Sequence, residues 1–117
     1  MNKKTKVRQN IEWLKKNYFS DPSRQRRLEK DEVLLHPGQY NESLFLIREG
    51  TLAGYIEHGT GQQFEIFRSG RDNLVGAYSF FADTHYSYAT VCAEEPTLVS
   101  FLTLKDLEGD DGFAYGE

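Results

Sequence analysis

Between Glu32 and Leu102 turn residues divide the chain into short apolar or alternating runs, and this punctuation limits it to an antiparallel β architecture. The runs are Val33 to Leu35, Leu44 to Arg48, Leu52 to Glu57, Phe64 to Phe67, Ser87 to Val91 and Leu98 to Leu102. Their spacing is that of sandwiches and jelly rolls. His58-Gly59-Thr60-Gly61 reads as one hairpin tip and Glu95-Pro96-Thr97 as another. Tyr78 to Ala82 lacks strand alternation and leaves room for a helical turn. Thr103 and Asp106 have the spacing of a capping box that opens a last helix, which Gly109, Gly112 and Gly116 should break.

The first thirty residues are different. Val7, Ile11, Leu14 and Tyr18 recur every three or four residues, as on one stripe of a helix, with Trp13 off the stripe and expected half-buried against the roll. Ser20-Asp21-Pro22 supplies a cap and a proline for a second short helix running to about Leu28. The expected organisation is a basic helical segment over 1–30, a roll over 31–108 and an acidic, glycine-rich tail over 109–117. At 117 residues the chain closes one small core.

The net charge of -4 hides a strong asymmetry: residues 1–30 hold ten Lys and Arg against three acids, residues 31–117 four against fifteen. A basic arm beside an acidic roll docks on that roll, or meets nucleic acid or anionic lipid. No apolar run reaches membrane-spanning length, so a soluble, cytoplasmic protein is expected. The single Cys92 forms no internal disulfide and reads as a small buried hydrophobe. His36, His58 and His85 are isolated, so no metal is assigned, and with Ser87 and Cys92 they form no recognisable nucleophile and base arrangement; an enzyme is not expected.

The stretch GRDNLVGAYSFFADTHYSYATVCA, Gly70 to Ala93, resembles the phosphate-binding cassette of cyclic nucleotide-binding domains. The resemblance extends through HPGQYNESLFLIREGTLAGYIE, His36 to Glu57, and covers roughly residues 30 to 108, with Gly38, Gly50, Gly70 and Gly76 in the family's order. It implies a mainly β fold, a double-stranded β-helix or jelly roll of the cyclic nucleotide-binding domain type behind an N-terminal helical segment. It also implies a ligand site at Gly76, Ala77, Tyr78, Ser79, Ser87 and Tyr88.

Two family residues are replaced. The family's Gly-Glu pair, whose Glu accepts from the ribose 2'-hydroxyl, reads Gly76-Ala77; its Arg followed by a small residue, which meets the cyclic phosphate, reads Ser87-Tyr88. Charge-assisted hydrogen bonds contribute on the order of 1.5 to 3 kcal/mol each, so losing both weakens binding roughly a hundredfold to several thousandfold. Arg68 and Arg71 precede the cassette and are the candidate substitute cations, and Tyr88 is expected to fill part of the phosphate volume. Phe80 and Phe81 are expected in the core.

The expected function is therefore a regulatory or sensory cyclic nucleotide-binding-like domain without a required cofactor. Having lost ordinary binding of cyclic AMP or cyclic GMP, it would act through another small molecule, a protein partner or a downstream effector domain, with a homodimer left open. The first alternative is a functional cyclic nucleotide receptor with non-standard phosphate contacts. The second is an adaptor that binds nucleic acid or membrane through residues 3 to 30, with Lys15, Lys16, Arg24, Arg26 and Arg27 carrying the charge. In this family's transcription factors a long helix and a helix-turn-helix follow the roll. GDDGFAYGE is too short and acidic for a recognition helix, so sequence-specific DNA binding by this chain is not expected.

Overall fold

The structure is a computed structural model and describes residues 11–77, 80 and 85–108. Among the described residues eight strands form two antiparallel four-stranded sheets. They are β1 Gln25–Leu28, β2 Val33–Leu35, β3 Ser43–Glu49, β4 Leu52–His58, β5 Gln62–Ser69, β6 Leu74–Val75, β7 Thr90–Ala93 and β8 Thr97–Thr103. The first sheet runs β1, β8, β3, β6 and the second β2, β7, β4, β5, the mainly β roll expected from the punctuation.

The continuous apolar run Leu44 to Ile47 makes β3 the spine of the molecule, because both of its faces are covered. Phe45 and Ile47 point between the sheets, into a core with Leu28, Leu34, Leu35, Leu52, Val75, Val91, Ala93 and Val99. Leu44 and Leu46 point outward, into a second cluster formed by Leu14, Tyr18, Phe19, Phe80, Leu102, Leu104 and Leu107. The helical elements are therefore not ornaments on the roll; they close the outer face of its first sheet.

Helix α1, Ile11–Leu14, passes directly into a π turn, Lys15–Phe19. A π turn takes one more residue than an α turn. Leu14, Tyr18 and Phe19 can thus all face the sheet, and each is buried. Strict helical spacing identifies Tyr18 but not Phe19. Trp13 is half-buried, as expected, with its ring edge-to-face on Tyr18 at 5.6 Å between centroids.

The second helix expected to run to Leu28 stops at Arg24. Asp21 caps it as the sequence suggests, accepting from the Ser23 amide at 2.9 Å, and Pro22 follows in the first turn. Nothing apolar lies within one turn to give a longer helix a buried face. Gln25–Leu28 instead pairs with β8, Leu28 opposite Thr97, and buries Leu28 between the sheets. Pairing overrides the helical preference of the two arginines. A second correction concerns Glu95-Pro96-Thr97, which is no hairpin tip: β7 pairs with β2 and β4, β8 with β1 and β3, so this turn carries the chain from one sheet to the other.

The capping box forms as read. Asp106 accepts from the Thr103 amide at 2.7 Å and Thr103 Oγ1 from the Asp106 amide at 3.3 Å, opening helix α2, Leu104–Glu108. The same Asp106 carboxylate takes a bidentate contact from Arg24, at 2.6 and 2.5 Å. Lys15 lies 3.9 Å from Asp72 and Arg26 3.4 Å from Glu32. Cations of the basic segment are thus paired with acids of the roll.

One buried polar atom stands out. Ser100 Oγ is fully enclosed on the outer face of β8, beside Leu46 of the second cluster, and has no hydrogen-bond partner among the described residues. Burying an unpaired hydroxyl is costly, so Ser100→Ala is expected to stabilise the protein by about 1 kcal/mol. Urea unfolding checks this, and a destabilised variant would contradict an unsatisfied hydroxyl.

Candidate functional site

A cavity of about 270 Å³ opens beside β6, lined by Leu35, Phe67, Ser69, Leu74, Val75, Gly76, Ser87, Tyr88, Ala89 and Val91. Both sheets contribute walls, and the segments before β7 and after β6 supply the mouth. Gly76, Ser87 and Tyr88, three residues singled out in the sequence, meet here. Tyr78 and Ser79 lie outside the described residues, as do Phe81 and the glycines of the tail.

The mouth is held by the Pro37-Gly38 turn. The Gly38 amide donates to Ser87 O at 2.8 Å, the Ser87 amide to Gln39 O at 2.9 Å and the Asn41 amide to His85 O at 2.7 Å. Tyr40 and Tyr86 form an isolated antiparallel β-bridge, their rings 5.6 Å apart. At the other side Gly76, at φ +88°, turns the chain from β6 into the helical residue Ala77. A Cβ at Gly76 would sit 3.0 Å from Ser43 O, which explains the glycine there.

Ser87 is nearly buried, 8% exposed, and its hydroxyl is already engaged. It donates to Ala89 O at 2.8 Å and accepts from the Ala89 amide at 3.4 Å. Ala77 packs against the outer apolar cluster and does not line the cavity. Tyr88 is 55% exposed at the rim, and the cavity persists beside it. Its ring edges the cavity, with the Ser87 side chain buried and its neighbour exposed. Phe80 is fully buried in the outer cluster, as expected.

The candidate cations do not reach the cavity. A bulge at Ile66, between Gly54 opposite Phe67 and Tyr55 opposite Glu65, resets the alternation of β5. Phe67 and Ser69 face inward, while Arg68 joins Glu65 on the outer face, bonded to it at 2.6 Å and to Glu94 at 3.0 Å. Hydrogen bonding to Arg68 holds the Glu65 carboxyl below the usual range. The same bond raises the Arg68 guanidinium still further above its ordinary value. Arg71 stands exposed in the turn between β5 and β6.

Cys92 corrects the reading of a buried hydrophobe. It is half-buried on the outer face, its Sγ 3.7 Å from Glu94 Oε2. Burial, then the Glu94 charge, push its thiol up. Among the described residues no group of three His, Cys, Asp or Glu side chains could hold a metal ion, and no helix is long and apolar enough to cross a membrane.

Sequence reasoning missed most of the wall. Phe67 was legible as a strand residue but not as a pocket residue, because the bulge that orients it leaves no mark in the pattern. Gly54 carried the available signal. A Cβ there would lie 2.1 Å from Phe67 Cε2, so the phenyl ring rests on bare β4 backbone.

Comparison with known proteins places this geometry. A family model described as Cyclic nucleotide-binding domain matches residues 25–109. The N-terminal domain of a transcriptional regulator from Streptomyces coelicolor A3(2) superposes with TM-score 0.67 at 24% identity, covering 72% of this chain and 58% of that one. The Thermus thermophilus Catabolite Activator Protein gives 0.65 at 22%, covering 70% of this chain and 38% of that one. A transcriptional regulator from Thermotoga maritima gives 0.67 at 17%, covering 90% and 81%. The chain thus spans little more than half of the first of these structures and under half of the second. No curated protein sequence matches.

Proposed function

Because the chain belongs to the cyclic nucleotide-binding domain family, we propose that it is a regulatory or sensory module whose site no longer grips a cyclic nucleotide. One observation carries this reading: among the described residues no charged side chain lines the cavity. Where the family places Arg and Glu, this chain has a self-bonded serine and an alanine packed elsewhere. Arg68, the nearest cation in β5, is committed to two carboxylates on the opposite face. An anionic phosphate entering the cavity would give up water for backbone dipoles alone, within an acidic roll.

The module works inside the cell through a protein partner, an effector domain or a different small molecule, as a monomer or a homodimer, and is not itself an enzyme. Direct reading of DNA sequence is left to other chains or domains. The structural relatives described as transcriptional regulators and as a catabolite activator favour an output of this regulatory kind.

Calorimetric titration with cyclic AMP and cyclic GMP, with thermal shift at millimolar ligand, tests the reading. A ligand at a hundred times its dissociation constant adds about 2.7 kcal/mol, several degrees for a domain of this size. The expected result is no saturable heat and no shift. Micromolar binding of either nucleotide would establish the alternative, a receptor with non-standard phosphate contacts.

A further inference from the structure

We propose that the cavity beside β6 binds an uncharged, largely apolar molecule of one or two rings, oriented by a hydrogen bond to Ser69. The proposal rests on the reading that this site has lost its anion-binding function. Six of the ten lining residues, Leu35, Phe67, Leu74, Val75, Ala89 and Val91, present hydrocarbon. Size sets the upper bound. An apolar cavity of about 150 Å³ accommodates a benzene ring, so the roughly 270 Å³ present here suits one ring or a fused pair.

Polarity sets the chemistry. Ser87 Oγ is satisfied by Ala89 on both its donor and acceptor sides. Ser69 is different: it lies on the inner face, opposite Leu52, and among the described residues its hydroxyl makes no hydrogen bond. A guest therefore meets an aromatic wall at Phe67, aliphatic walls on β2, β6 and β7, an unengaged hydroxyl at Ser69, and Tyr88 at the rim. Such a lining rejects a carboxylate or phosphate, which would lose hydration without gaining a cation.

Gly54 makes the room. With no side chain there, the Phe67 ring packs against the β4 backbone; a Cβ 2.1 Å from Cε2 and 2.5 Å from Cδ2 would force the ring off its seat and disturb the cavity wall it forms. The mid-strand glycine thus has a use that concerns volume, not turn geometry.

The test uses indole as the neutral probe, indole-3-carboxylate as its anionic counterpart and cyclic AMP as the family ligand, each titrated into the full chain and followed by methyl and amide NMR. Saturable shifts at Val75, Ala89 and Val91 with indole are expected, with indole-3-carboxylate at least tenfold weaker. Gly54→Ala should lower indole affinity at least tenfold. Ser69→Ala, which keeps the fold's apolar contacts, should lower it several-fold while leaving binding of naphthalene, which has no donor, unchanged. Indole-3-carboxylate binding as tightly as indole overturns the proposal, as does an indole titration without shifts, or a Ser69→Ala variant that weakens both neutral rings equally. Micromolar cyclic AMP binding sinks this proposal and the proposed function together; if neither indole nor cyclic AMP binds, only this proposal falls.

Discussion

Replacing Ser87 by Arg and Tyr88 by Ala is expected to raise affinity for cyclic AMP at least about a hundredfold. Residue 87 enters the cavity mouth on a backbone fixed at both its amide and its carbonyl by the Gly38 and Gln39 bonds, so a new side chain starts from a rigid base. A guanidinium there makes two charge-assisted contacts with one phosphate, each contributing about 1.5 to 3 kcal/mol, and a factor of one hundred needs about 2.7. Removing the Tyr88 ring clears the rim, where it is more than half exposed. Ala77→Glu alone is expected to do much less, since Ala77 sits against the outer apolar cluster away from the cavity. Calorimetry on the folded double variant decides the matter. An affinity that stays at the parent's level would mean that Ser87 is not the position from which this cavity can be made to grip a phosphate.

Gly50→Ala is expected to cost about 2 to 5 kcal/mol of stability, close to abolishing the fold of a small domain. Two independent penalties meet there. Gly50 has φ +92°, a left-handed conformation that alanine adopts only under strain. A Cβ would also lie 2.4 Å from Thr97 Oγ1, 2.6 Å from Pro96 O and 2.7 Å from Thr97 Cα, and the latter two are backbone atoms that cannot turn aside. The crowding arises because the β3–β4 turn and the crossover from β7 to β8 are stitched together, Thr97 Oγ1 accepting from the Thr51 amide at 3.1 Å and donating to Glu95 O at 2.7 Å. Gly59 supplies the control: its φ is also positive, +64°, but nothing lies within 4 Å of an added Cβ. Gly59→Ala should therefore lose only the conformational part, about 1 kcal/mol. Urea unfolding of both variants separates strain from collision, and equal losses would contradict the collision.

The strands that build the core were legible because their apolar residues are local and bounded by turn residues; β3, β4 and β8 fall where the sequence places them. What remained hidden is non-local. The helical lean of Gln25–Leu28 yields only because β8 offers it an edge, and β6, two residues long, is a strand only through its pairing with Phe45 and Leu46. Ser87 to Val91 was read as one strand, whereas pairing begins at Thr90, since Ser87 is spent on the Pro37-Gly38 turn. At the site, Gly76, Ser87 and Tyr88 were singled out from the chain, and they line one cavity. The wall was not: Phe67 and Ser69 owe their inward aim to the Ile66 bulge, and Ala77 owes its outward aim to the φ of Gly76.

Phe80 follows the cavity-lining Gly76 by four residues, yet its ring is buried with Leu14 and Phe19 of the first helical segment and Leu104 and Leu107 of the last. Both helical segments are thereby seated on one shared apolar cluster. Coupling of this kind is reciprocal: whatever factor the docking of one helical segment contributes to that of the other, it receives in return. A partner that holds either segment would thus hold the other more firmly too.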